Sequence, residues 1–187
     1  MNETLKTIFS RRSIRSYRPD PLPAEDRDLI IQSGLYAPSA RNIQPWHITV
    51  VENRDAIDRI TAETKAAIIR VGVERYLGLA RSPNYRVSFG APTFMIVSAD
   101  PSASNCPTED CSLVLGTMFL AAHSLGIGSC WVNQLGSISD DATFRIILSE
   151  LGVPAKNRVY GCAAFGYNAE KHPEAPARRE GTVNLTN

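Results

Sequence analysis

The sequence predicts a layered α/β or α+β domain, and three observations carry that reading. Apolar residues at helical spacing alternate along the chain with short runs rich in β-branched and aromatic residues. The run from Pro92 to Ala99 is nearly all apolar, as a strand covered on both faces must be. With 43% apolar and 21% charged residues among 187, the composition is that of a globular protein able to build a core without disulfides. One domain, with at most a small appendage, is expected.

Asn2 caps a first helix whose Leu5, Ile8 and Phe9 form a one-sided stripe. The helix runs out at the basic run Arg11-Arg12-Ser13-Ile14-Arg15, and Tyr17 to Pro21 is a connector because two prolines forbid regular structure. Pro23 suits a first helical turn, with Glu25 and Asp26 at the positive helix end; Leu29, Ile30 and Ser33-Gly34 carry this second helix to Ala37-Pro38. A loop follows, then a strand from Trp46 to Val51. Asp55 to Val71 is a helix with Ile57, Ile60, Ala67 and Ile68 facing in. Residues 72–90 hold three glycines and Ser82-Pro83-Asn84 and are expected to form short helices in a mobile lid.

After the Pro92–Ala99 strand, Thr108, Glu109 and Asp110 start a long helix ending near Gly126. It is apolar almost all round, so it is expected to be central or to lie at a subunit interface. Ser129 to Val132 is a third strand. Ser139 is expected to cap a helix with Phe144, Ile147, Leu148 and Leu151 facing in, stopped by Gly152 and Pro154. Val159 to Phe165 is a fourth strand, and the chain from Tyr167 onward is an aperiodic tail with a possible short strand at Val183-Asn184-Leu185.

Twenty Lys+Arg against nineteen Asp+Glu leave a net charge of +1, too little to draw in nucleic acid or an acidic membrane. The longest apolar stretch, within Leu113 to Ala122, is interrupted by Gly116 and Thr117 and falls short of the roughly 20 residues of a membrane span. Asn2-Glu3-Thr4 opens on no signal-peptide pattern, so a soluble cytoplasmic protein is expected. Cys106, Cys111, Cys130 and Cys162 form no C-x-x-C pair, and reduced thiols, three of them in apolar surroundings, are expected in place of a metal site. Neither G-x-G-x-x-G nor a P-loop occurs; Gly126-Ile127-Gly128 lies between helix and strand and reads as a helix stop.

Three features could carry chemistry. Alternate residues of an extended segment point the same way, so Arg11, Ser13 and Arg15 either converge on a phosphate or make a solvated basic face. Pro38-Ser39-Ala40-Arg41-Asn42-Ile43-Gln44-Pro45-Trp46 is either a rigid donor-rich loop that clasps a planar polar ring or a plain loop before a strand. Cys130-Trp131-Val132-Asn133-Gln134-Leu135-Gly136 either presents backbone N–H groups to a ligand or is strand-end turn chemistry.

Taken in order, these segments resemble the nitroreductase family of flavin enzymes. Ala91-Pro92 before an apolar strand matches as well, and so does the stretch from Asp110-Cys111-Ser112 through Ala121-Ala122-His123-Ser124-Leu125-Gly126-Ile127-Gly128-Ser129-Cys130-Trp131. The resemblance covers nearly the whole chain. It implies an α+β three-layer fold with a mixed, mainly antiparallel sheet between helices, as one domain over 1–187. It also implies an intertwined homodimer in which the 168–187 tail wraps the partner. FMN would be held noncovalently at each of two interface sites. Arg11, Arg12, Ser13 and Arg15, with Arg178 or Arg179 from the tail, would grip phosphate and ribityl. Pro38, Ser39, Ala40 and Asn42 would reach the flavin of the other subunit, and Asn133, Gln134, Leu135 and Gly136 would stand beside the ring.

The resemblance further implies ping-pong hydride transfer from NADPH or NADH to a small nitroaromatic, other aromatic or quinone-like acceptor. No side-chain acid or base is required. His47 and His123 are expected to be structural, and a catalytic role for Cys130 would need a depressed pKa that nothing local suggests. Arg75, Arg81 and Arg86 against Glu74, with Tyr76 and Tyr85 as flat surfaces, suggest a lid that favours anionic or nitro-substituted aromatics or NADPH. Flavin reductase, reductive dehalogenase and non-catalytic flavin carrier are the alternatives on the same scaffold.

Overall fold

The structure, a computed structural model, describes residues 1–186. Six helices, α1 (Glu3–Ser10), α2 (Ala24–Leu35), α3 (Arg54–Val71), α4 (Glu74–Arg81), α5 (Pro107–Ser124) and α6 (Ala142–Glu150), accompany four strands. The strands are β1 (Trp46–Val51), β2 (Thr93–Ala99), β3 (Gly128–Val132) and β4 (Arg158–Gly166), in the sheet order β1-β2-β4-β3. All three pairings are antiparallel. The mixed character comes from the segment after α1, where Ser13 bridges Ser129 in parallel and the Ile14 N–H donates to the Ser129 carbonyl at 2.9 Å.

Two cores flank the sheet and make the molecule three layers deep. On one face Phe94 and Ile96 of β2 pack with Ile57, Ile60, Ala67 and Ile68 of α3 and Phe144, Ile147 and Leu148 of α6. On the other, Met95, Val97 and Ala99 pack with Ile30 of α2 and Val114, Leu115 and Met118 of α5. Every residue of β2 is buried, which is why its sequence lacks the alternation of a half-exposed strand. α2 and α5 approach closely because Gly34 has no Cβ: one placed there would lie 2.8 Å from Met118 Cγ.

Three sequence expectations change. Asp141, not Ser139, caps α6: its Oδ1 accepts the Phe144 N–H at 2.9 Å, while Ser139 is buried with its hydroxyl unpartnered. Residues 72–90 form one helix, α4, followed by turns that enter the first core through Tyr85 and Val87, so the second half of this segment is anchored. Val183-Asn184-Leu185 is irregular and exposed, not a strand. The Leu5, Ile8 and Phe9 stripe of α1 remains largely exposed, and α1 buries none of its residues.

Asp141 also pairs with Arg70 of α3, and the guanidinium holds its carboxyl down at about 2, against an ordinary 3.8. A depressed carboxylate contributes stability above its unfolded pKa and loses that contribution as pH falls through the folded value. Asp141→Ala is expected to cost about 1–2 kcal/mol at neutral pH, mostly through the lost cap because the ion pair is partly screened. In urea melts the gap to wild type should close between about pH 4 and pH 2.

Candidate functional site

The extended segment after α1 lies along the exposed edge of β3 and turns back beside β4, where Tyr17 bridges Asn168. Arg11, Ser13 and Arg15 gather about Cys130 of β3. Burial pushes the Cys130 thiol up, and Arg15, Arg11 and the Ser13 hydroxyl pull it part of the way back. The thiol is therefore not activated, in line with the sequence expectation. Tyr17 closes the floor: its hydroxyl donates to the Ile14 carbonyl at 2.7 Å, and burial raises its pKa far above the ordinary 10.0.

Arg12 turns elsewhere. Its Nη1 donates to the carbonyls of Phe9 at 2.9 Å and Arg11 at 2.6 Å, closing the C-terminus of α1. It lines a cavity of about 140 Å³ with Ile14, Ser129, His123 and His172. His123 and His172 stack at 5.5 Å; His123 Nε2 lies 2.8 Å from Ser10 Oγ and His172 Nε2 lies 2.9 Å from the Ser10 carbonyl. The neighbouring His172, Arg11 and Arg12 add to burial in lowering the His123 pKa. This pair holds the start of the tail to the body, so His123 is structural here. Further along, Arg178 and Arg179 are exposed, and their hydrogen bonds among the described residues are local.

Among the described residues no carboxylate lies within 4.0 Å of Arg11, Arg12 or Arg15, as also for seven other arginines; Arg18, Arg54, Arg59, Arg70 and Arg158 each have one, and Arg27 has two. Guanidinium groups left without anionic partners around a serine hydroxyl suit a bound dianion. β3 leads from this cluster to the short 3-10 turn Gln134–Ser137. Asn133 sits there as a junction: its Oδ1 lies 3.4 Å from Trp131 Nε1 and its Nδ2 lies 3.5 Å from the Tyr76 hydroxyl of α4. Arg75 stacks over Tyr76 at 4.8 Å and donates to Ser137 Oγ at 2.7 Å. Gln134 Oε1 is buried without a partner, Leu135 is core, and Gly136 runs close to the Val159 carbonyl. Of the two lid tyrosines, Tyr76 faces this turn, whereas Tyr85 is buried and offers no surface.

Pro38, Ser39, Ala40 and Asn42 lie in a loop packed against the other end of α5. The Ala40 N–H donates to Asp110 Oδ1 at 2.8 Å. Arg11 meets α5 at Phe119, nine residues from Asp110, which places the loop about 14 Å along the helix from the arginine cluster. Within one chain the two clusters therefore do not meet. In the sequence Asp110 stands out as a helix start and as the head of the matched Asp110-Cys111-Ser112 run, with nothing to mark its hydrogen bonds, and Ser104 does not stand out.

The Nitroreductase family model matches residues 8–167. A nitroreductase of Bacteroides fragilis, solved with bound FMN, is 38% identical and superposes with a TM-score of 0.95 over 100% of both chains. A protein of Archaeoglobus fulgidus, provisionally named NADH dehydrogenase/NAD(P)H nitroreductase, is 33% identical over 171 residues, covering 89% of this chain and 86% of its own. A Thermus thermophilus protein named NADH dehydrogenase is 54% identical over 188 residues, covering 87% of this chain and 85% of its own.

Proposed function

The chain belongs to the nitroreductase family and is an FMN-dependent oxidoreductase; we propose that it oxidises NADH or NADPH and passes hydride to small nitroaromatic, other aromatic or quinone-like acceptors. The observation that carries this reading is the carboxylate-free Arg11–Ser13–Arg15 cluster at one end of β3 with the Asn133–Gly136 turn at the other. FMN, when bound, supplies reversible hydride acceptance. Arg11 and Arg15 hold its phosphate by charge-assisted hydrogen bonds, and Ser13 adds a hydroxyl donor. Arg12 holds the segment in place through the α1 carbonyls. The 133–136 turn offers main-chain N–H groups to the ring, steadied from α4 through Tyr76–Asn133 and Arg75–Ser137. Any lid action thus falls to α4, since the chain beyond it is anchored in the core.

The site is completed by a second copy. Leu113, Gly116, Thr117, Leu120 and Ser124 form a half-exposed stripe on α5, and a groove beside it is lined by Thr7 and Ile8 of α1. Gly116 opens a notch there, with nothing within 4 Å of where a Cβ would be. Gly116 and Thr117 lie midway between Asp110 and His123. A two-fold axis through that notch pairs α5 with its copy antiparallel and brings the 38–42 loop of one chain to the arginine end of the other. The tail, held among the described residues at Asn168, Ala169 and His172, is free beyond them to lie on the partner and carry Arg178 or Arg179 to the phosphate. Four free cysteines accord with a cytoplasmic setting.

The test is an absorbance spectrum of the purified protein, before and after anaerobic NADPH and then NADH. A flavin spectrum that bleaches is expected. A protein that stays colourless with added FMN overturns the reading, and one that stays coloured under both nucleotides points to a flavin carrier.

A further inference from the structure

Of the two carboxylates of α5, Glu109 is exposed and Asp110 is only 2% exposed. Asp110 has no cationic partner among the described residues; its oxygens are spent on two stretches of chain. Oδ1 accepts the Ala40 N–H at 2.8 Å, and Oδ2 accepts the Ser104 hydroxyl at 2.6 Å. Ser104 Oγ in turn accepts the Cys106 N–H at 3.0 Å. Burying a carboxylate without a cation is costly, and its two hydrogen bonds and its place in the first turn of α5 offset that cost.

What it holds is strained. Arg41, Asn42 and Gln44 have φ of 52°, 56° and 52°, the left-handed region that side chains disfavour. Inside the loop, Ser39 Oγ accepts the Gln44 N–H at 3.0 Å and Asn42 Oδ1 accepts from Gln44 Nε2 at 2.8 Å. These bonds shape the loop but do not anchor it to the body. The Ala40–Asp110 bond does, and it fixes the peptide plane between Ser39 and Ala40.

We propose that Asp110 is a positioning residue that sets the 38–44 loop for flavin contact, and that it acts on the site of the partner copy and not on the arginine cluster of its own chain. This rests on the reading of an FMN dimer given above. Asp110 stands about 14 Å along α5 from Phe119, the ring under Arg11 of its own chain's cluster, so an influence in trans follows from the antiparallel pairing.

A mixed dimer tests it. One subunit carries Asp110→Ala, the other Arg11→Ala with Arg15→Ala, and the heterodimer is isolated through two different tags. FMN that survives desalting is then counted per dimer. Each variant homodimer is expected to bind FMN at least tenfold more weakly than wild type. The heterodimer is expected to keep one FMN of wild-type affinity, because one site carries both lesions and the other none. A heterodimer with no tight FMN places the effect of Asp110 within its own chain and overturns the proposal. So does an Asp110→Ala homodimer that binds FMN as wild type does. Asp110→Asn, which keeps an acceptor for Ala40, is expected to bind within threefold of wild type; if it binds as poorly as the alanine variant, the hydrogen bond is not the cause. If the alanine subunit does not fold, Ser104→Ala takes its place with a smaller weakening, again cured at one heterodimer site. A wild-type dimer that takes up no FMN overturns the underlying reading, and the inference with it.

Discussion

Replacing Arg11 and Arg15 together by alanine is expected to weaken FMN binding by about a hundred- to a thousandfold while leaving the chain folded. Two charge-assisted hydrogen bonds are worth about 1.5–3 kcal/mol each, and Arg15 falls at the low end because it is exposed and screened. The fold should tolerate the change within about 1 kcal/mol, since neither guanidinium has a carboxylate partner and Arg11 has only a loose contact over the Phe119 ring, 6.0 Å from its centroid. Titration of the apoprotein with FMN at rising salt is the measurement. Wild-type affinity should fall with salt, and that of the double variant much less. Arg12→Ala separates the two roles in the basic run. It removes the hydrogen bonds to the Phe9 and Arg11 carbonyls, so its effect should appear in the melting temperature more than in the FMN affinity.

Gly116→Leu is expected to leave each chain folded, abolish the dimer at micromolar concentration and remove tight FMN binding with it. A Cβ at 116 meets nothing in its own chain, and leucine is the better helix former by about 1 kcal/mol. The cost falls where two α5 helices approach, because a large side chain fills the notch from both sides. Sedimentation equilibrium and FMN titration should fail together. Gly78→Leu is the control: that glycine is also open, but it lies on α4, away from the stripe. A Gly116→Leu protein that remains dimeric with FMN at full strength would show that the copies meet elsewhere.

Regular elements were legible where burial and periodicity coincide. Ile57, Ile60, Ala67 and Ile68 of α3 and the apolar run of β2 needed no tertiary information. Phase was harder. Ser139 and Asp141 are equally good caps by residue type, and the turn around Ile138 buries the serine and leaves the aspartate to the helix. Tyr85 and Val87 looked like lid residues because they belong to no regular element, yet turns can deliver side chains to a core.

The site was legible as segments but not as geometry. Alternation along an extended segment singled out Arg11, Ser13 and Arg15, and the resemblance grouped Arg12 with them as a phosphate and ribityl contact. Neither could say that Arg12 would close α1. The Asp110 clamp joins residues seventy positions apart through one backbone N–H, and such a bond leaves no pattern in composition or spacing. Arg178 and Arg179 were read from resemblance alone, and they lie exposed in a tail without regular structure.

The distribution of sulfur has a chemical consequence. Met95, Met118, Cys111, Cys130 and Cys162 are all buried, and burial drives the Cys111 thiol up to about 12 and the Cys162 thiol well above its ordinary value. Oxidants made by a leaking electron carrier therefore find little to attack inside the fold. Met1 at the chain start and half-exposed Cys106 are the sulfurs left within reach. The Cys106 amide is bonded to Ser104, so peroxide wear at this thiol would fall on the residue that caps α5 and neighbours the Asp110 tether.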